Sequence, residues 1–301
     1  MHMSKAFASR SRILFIGCAI FLTAQAGFPQ SRYTVENKET IRRTLEFSGT
    51  ANHMIELNNI NGSIHVTNTT GRNVEVVADK TIRAESQDRV EAAKQEVKLD
   101  ISDKLETVRV YVDSPSRCNC GDGREGWRSS GGRWSDPGYR VNIDFDVRVP
   151  PGTRLRLRTV NGGDITVDGT TGDFEVENIN GRIIMSDIRG SGSAATVNGP
   201  VKVSFLENPK TATSFKSTNG VIEVSFQPNL SANLQMKTFN GGLYTDFDVQ
   251  YLPSAPVTGE RVTGKFIYRG NQFTGFRVGN GGPEIKFDGF NGDVKVLRRT
   301  R

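Results

Sequence analysis

Apolar and polar positions alternate through most of this chain, and the alternation is keyed to one dipeptide. Seven copies share the pattern: Asn61-Gly62, Asn161-Gly162, Asn180-Gly181, Asn198-Gly199, Asn219-Gly220, Asn240-Gly241 and Asn291-Gly292. Four residues before each Asn stands Leu57, Leu157, Val176, Ala194, Phe215, Met236 or Phe287. Six before it, in most copies, stands another apolar residue: Ile55, Leu155, Phe174, Leu234 or Ile285. After the Gly comes a second alternating pair, such as Ile64 and Val66, Ile183 and Met185, or Val294 and Val296. Strict alternation marks strands with one buried face, so each unit reads as strand, Asn-Gly corner, strand and looser turn. From Asn161 to Asn240 the copies lie 19, 18, 21 and 21 residues apart, a period that signals repeats stacked on one another.

Two architectures fit this pattern. Asn-Gly between alternating runs is a strong hairpin signal and would give an antiparallel meander. A parallel coil instead stacks equivalent positions, so that like residues form ladders. The residue two before Asn is small and polar in most copies: Asn59, Thr159, Asn178, Thr196, Ser217 and Thr238. A meander has no reason to keep that class at one offset. The expected fold is therefore all-β with one short helix: a right-handed parallel β-solenoid, or β-helix, of about 20-residue coils. Asn and Gly would turn the corners at positive φ.

The chain between the first and second copies differs. Residues 73–79, 96–102, 106–113 and 141–149 alternate as strands, and Ser86 to Glu96 carries Val90, Ala93 and Val97 at helical spacing. This reads as a β-rich N-terminal module capping one end of the solenoid. Residues 114–139 form a Ser/Gly/Arg-rich loop, and 250–272 an insertion with a strand at Val262 to Tyr268. The division predicted is 1–26, 27–150 and 151–301.

The first 26 residues are a separate object. Lys5, Arg10 and Arg12 precede an apolar run, Ile13 to Leu22, and Ala24-Gln25-Ala26 supplies a small-x-small cleavage site. That is a secretory signal peptide, too short in its apolar part to span a bilayer. Cys18 sits in a poor lipobox. Removing these three cations and no acids takes the net charge from +6 to +3. No basic stripe with interleaved aromatics is present, which argues against nucleic acid. The remaining chain has no apolar stretch of membrane length. The protein is thus expected in the periplasm, on the cell surface or outside the cell.

Candidate chemistry is sparse. After the signal only His53 and His65 remain, and His65 lies on an outward strand position. Asp164, Asp168, Asp173 and Asp187 sit at turns, where Asp bonds local backbone; the alternative for them is calcium binding or acid–base catalysis. Cys118-Asn119-Cys120 reads as a local disulfide, as free or intermolecular thiols, or as part of a metal site lacking further ligands. No cofactor or metal site is assigned. Arg117, Arg124, Trp127, Arg128, Arg133 and Trp134 make the loop a candidate binding patch, because Arg and aromatics dominate binding hot spots.

Thr159-Val160-Asn161-Gly162, Ala195-Thr196-Val197-Asn198-Gly199 and Lys237-Thr238-Phe239-Asn240-Gly241 resemble the repeats of the bacterial "putative adhesin" family of unknown function. The ending Gly281-Gly282-Pro283-Glu284-Ile285-Lys286-Phe287, followed by Asn291-Gly292-Asp293-Val294-Lys295-Val296, is similar to that family's final repeat. The resemblance implies a non-enzymatic protein; with the signal peptide, the repeat and the sparse catalytic groups, the expectation is a scaffold of the cell envelope that binds cell-wall or surface polysaccharide, or an envelope protein. Its rivals are a β-helix polysaccharide lyase or hydrolase, and a self-assembling structural or envelope-stress accessory protein. The sequence sets no oligomeric state.

Overall fold

A computed structural model describes residues 32–300 apart from 48, 50–52, 105, 116, 121–123, 128–135, 254–257, 263–264 and 270–272. Residues 104, 118–120, 124–127, 258–262 and 265–269 are described as backbone only. The segment 1–26, with Cys18, and Arg128, Arg133 and Trp134 lie outside the described residues. Tyr33–Arg301 forms one compact unit.

The first part of the unit holds β1 (Val35–Glu46), β2 (Met54–Asn58), β3 (Ile64–Asn68), β4 (Asn73–Ala84), α1 (Gln87–Glu96), β5 (Lys98–Lys104), β6 (Thr107–Asp113), β7 (Arg117–Cys120), β8 (Arg124–Trp127) and β9 (Tyr139–Val149). The repeats follow as β10 (Arg154–Thr159), β11 (Ile165–Asp168), β12 (Phe174–Asn180), β13 (Ile183–Ile188), β14 (Gly192–Asn198), β15 (Val201–Phe205), β16 (Thr213–Asn219), β17 (Ile222–Phe226), β18 (Ala232–Lys237) and β19 (Leu243–Thr245). The last part holds β20 (Val249–Leu252), β21 (Thr258–Val262), β22 (Lys265–Arg269), β23 (Thr274–Val278), β24 (Glu284–Asn291) and β25 (Val294–Arg298).

Two large sheets face each other across one core. The ten-stranded sheet runs β1-β4-β9-β3-β11-β13-β15-β17-β25-β19, and the eleven-stranded sheet runs β20-β23-β18-β24-β16-β14-β12-β10-β2-β6-β5. Alternation puts Ile55, Leu155, Phe174 and Ile285 inward from one sheet, and Ile64, Ile165, Ile183, Val201, Ile222 and Val294 inward from the other. Where β14 offers the core the small residues Gly192, Ala194 and Thr196, Phe205 of the opposite sheet lies 6.4 Å from Phe174 and 6.2 Å from Phe215. Phe205 also stacks on Phe226 at 5.1 Å. Bulk on one sheet thus fills the gap left by small residues on the other.

The expected right-handed parallel solenoid with a separate N-terminal cap is not the architecture. Both sheets are mixed and open: β1–β4, β4–β9, β5–β6, β18–β23 and β20–β23 are antiparallel. The strands before residue 150 enter the same two sheets, β2 pairing with β10 and β3 with β11. The result is a two-layered β-sandwich. The repeats pair in parallel and in register within it, Leu157 beside Val176 and Ile165 beside Ile183. They are not in chain order, because β24 and β25 stand between the β16/β17 pair and the β18/β19 pair. A period-two pattern reports only which face is buried, so it is blind to strand sense and strand order.

Helix α1 starts at Ser86, whose hydroxyl accepts the Arg89 N–H, and carries Asp88 in its first turn and Lys94 in its last. Its buried residues are Val90 and Ala93. Beneath its end, buried Lys80 donates to the Val97 carbonyl at 2.8 Å, and burial holds that amine below its ordinary pKa.

Candidate binding surface

The Asn-Gly corners stack along one side of the sandwich, and the two residues do different work. Glycine is there because backbones touch. A Cβ on Gly199 would lie 2.2 Å from the Gly181 carbonyl oxygen, one on Gly220 2.1 Å from Gly199 O, and one on Gly241 2.2 Å from Gly292 O. Gly162 differs: φ is +69° and nothing lies within 4 Å of its added Cβ. The corner asparagines are not at positive φ; among the described residues Asp187 is the one non-glycine residue that is.

The asparagines instead hydrogen-bond to one another. Asn180 Nδ2 donates to Asn161 Oδ1, Asn198 to Asn180 and Asn219 to Asn198, each at 2.8 Å. Asn291 then donates to Asn219, and Asn240 to Asn291, each at 2.7 Å. Six exposed or half-exposed amides form one ladder spanning about 24 Å at the usual strand spacing. At the far end Asn61 donates to Val141 O at 3.1 Å. The small polar residues two positions earlier face inward and cap the corner below. Thr159 bonds Gly62 O, Asn178 bonds Gly163 O, Thr196 bonds Gly181 O, Ser217 bonds Gly199 O and Thr238 bonds Gly292 O.

The residue just before each Asn flanks this ladder. Val160 is buried, but Val197 is 40 %, Phe290 48 % and Phe239 73 % exposed. Phe239 and Phe290 stack at 5.1 Å with rings 7° apart. On the ladder's other side stand Pro200, Val221 and the Arg182–Asp164 pair, 2.6 Å apart. Burial pushes the Asp164 carboxyl up, but bonds from the Arg182 side chain and backbone outweigh it and hold it below its ordinary value. The strip is uncharged in sum, rich in amides and edged by apolar groups.

Of the six loop residues singled out, Arg117 is the one whose side chain is described. Arg117 is buried; it donates to Asn58 Oδ1 and Asn59 O at 2.8 Å and lies over the Tyr111 ring. Cys118 and Cys120 fall on β7, and Arg124 and Trp127 on its antiparallel partner β8.

The four turn acids stay apart. Asp164 holds Arg182, Asp173 accepts the Ser191 N–H at 2.9 Å, and Asp187 holds Arg299. Asp168 meets His65 Nε2 at 3.1 Å, with Asp146 3.5 Å from the other ring nitrogen. All three of these side chains are about half exposed on a flat sheet face. An open groove of about 380 Å³ on the eleven-stranded sheet contains Arg154, Arg156, Asp173 and Glu175. There Glu175 is paired with Arg156 at 3.0 Å. No cluster of three His, Cys, Asp or Glu able to hold a metal occurs among the described residues, and none of their helices is long and apolar enough to cross a membrane.

Sequence reasoning missed the amide ladder. Its signal was present, since seven asparagines share one offset, but the residue was credited to turn geometry.

No family model matches the chain, and no curated protein matches it in sequence. Solved structures do align with it. A "putative cell adhesion protein" from Clostridium sporogenes is 11% identical with a TM-score of 0.42, covering 87% of this chain and 100% of that one. A "putative adhesin" from Bacteroides fragilis is 12% identical with a TM-score of 0.33, over 87% and 97%. A "putative lipid binding protein" from Parabacteroides distasonis is 9% identical with a TM-score of 0.33, over 88% and 97%.

Proposed function

We propose that the chain is an exported, non-catalytic binding protein of the cell envelope, and that its asparagine corner takes an extended, uncharged, hydroxyl-rich polymer: a polysaccharide. The carrying observation is the exposed amide ladder edged by Phe239 and Phe290. A primary amide has two N–H groups and two acceptor positions, and the ladder spends one of each. Every interior rung therefore keeps one donor and one acceptor for solvent or ligand, at a regular spacing of about 4.8 Å. Hydroxyl groups match both, and the phenylalanine rings offer apolar surface to the C–H faces of sugar rings. The charge pattern of Lys5 to Ala26 supports export. The separate commitments of Asp164, Asp168, Asp173 and Asp187 support a non-catalytic role.

The test is titration of purified cell-wall and surface glycans into the protein, with Phe239→Ala and Phe290→Ala as variants. Both side chains are exposed enough to leave the fold intact. Each substitution is expected to weaken binding about tenfold, the loss of roughly one aromatic contact. Binding that is unchanged in both variants refutes the corner as the site.

A further inference from the structure

One end of the sandwich is unfinished. Among the described residues β19 (Leu243–Thr245) closes the ten-stranded sheet and pairs on one side only, with β25. Val294 N–H donates to Gly242 O at 2.9 Å and Asp246 N–H to Val296 O at 3.4 Å. In this parallel ladder the Tyr244 backbone groups face β25, so the N–H and C=O of Leu243 and Thr245 face the open side. The eleven-stranded sheet runs on past this point through β23 and β20. Val249 and Tyr251 pair with core-facing Val278 and Phe276 and so share their side of the sheet, yet they are 37 % and 64 % exposed. Of the eight large exposed apolar residues among the described ones, six gather here: Phe239, Leu243, Tyr244, Val249, Tyr251 and Phe290.

The other end is guarded. Edge strand β1 carries Glu36, Lys38, Glu39, Arg42 and Arg43, and edge strand β5 carries Lys98, Asp100 and Asp103. Charges on edges are the usual defence against pairing with another chain. From Thr238 to Thr245 there is no charge and no proline.

We propose that this edge pairs with a second copy of itself, β19 against β19 in antiparallel sense about a two-fold axis through Tyr244. The geometry selects that occupant. The open groups lie on residues two apart, and a strand running the other way presents the same two. Leu243 then exchanges both its bonds with the partner's Thr245, and Thr245 with the partner's Leu243, giving four N–H···O bonds. Tyr244 meets the partner's Tyr244 on the outer face as a non-hydrogen-bonded pair, the closest kind of cross-strand contact. The residues that pair directly, Leu243 to Thr245, bring no charge to be buried, and a shared surface of this kind is what a two-fold interface requires.

The test uses sedimentation of the chain from Gly27 onward, which contains the compact unit, over micromolar to millimolar concentration and without glycan. A monomer–dimer equilibrium is expected. Tyr244→Lys and Tyr244→Glu each place like charges on the axis and should weaken dimerisation at least about tenfold while leaving the thermal midpoint of the dilute protein unchanged. Mixing the two variants sets Lys against Glu and should restore the dimer. Wild-type protein that stays monomeric overturns the proposal. So does a dimer that persists in either variant alone, or a mixture that fails to recover.

Discussion

Replacing Gly220 by Ala tests whether the corners are set by backbone contact or by backbone conformation. The new Cβ would lie 2.1 Å from Gly199 O, 2.4 Å from its carbon and 2.8 Å from Pro200 N. Ordinary contact begins at 3.4 Å, so the two rungs must part by about 1.3 Å. Four bonds span that gap. Gly199 N–H to Asn219 O and Val201 N–H to Val221 O are 2.9 Å, and Ser217 Oγ to Gly199 O and Asn219 Nδ2 to Asn198 Oδ1 are 2.8 Å. Opening by that amount carries each beyond hydrogen-bonding distance. At about 1 kcal/mol apiece, with partial relaxation, the loss is about 3–4 kcal/mol. Gly162→Ala is the control within the same motif. Its site is open, so it pays only for a left-handed φ, about 1–2 kcal/mol, partly offset by a stiffer unfolded chain. Guanidinium unfolding followed by circular dichroism should therefore place Gly220→Ala about 2 kcal/mol below Gly162→Ala. Losses equal within error would refute the contact argument and return the corners to turn geometry.

Two other substitutions probe the strip. Asp164→Asn should destabilise the protein at neutral pH, because the ionised carboxylate is held below its ordinary 3.8 by Arg182; its contribution is present above 3.8 and lost as pH falls through the lower folded value, so unfolding curves of variant and wild type should converge under acid. Asn219→Ala removes one donated and one accepted amide bond, whereas Asn161→Ala, at the ladder's end, removes one accepted bond; denaturation should show about 1 kcal/mol for Asn219 and about half that for Asn161.

Much of the local structure is legible in particular residues. Leu155, Leu157, Ile165 and Val167 alternate as read and are buried as read. Ser86, Asp88, Val90 and Ala93 marked the helix. The inward Thr159, Asn178, Thr196 and Ser217 could be picked out by offset alone. The candidate site was less legible. Phe239 and Phe290 look like any residue before Asn-Gly, and nothing in the local pattern sets their exposure apart from the burial of Val160. Arg117 looked like a loop cation, and its burial depends on Asn58 and Asn59, far away in sequence.

The sequence alone determined which residues face the core, where the corners fall and that glycine and asparagine recur there, because burial of an alternating strand is a property of a few neighbouring residues. Only the tertiary structure decided that the sheets are mixed and open. It also set the last repeat, Asn291, between Asn219 and Asn240, and placed β19 and β20 at sheet edges among the described residues. Strand order and strand sense depend on which distant segments bury each other's faces best. Every repeat here offers nearly the same face, so the pattern could not distinguish among them.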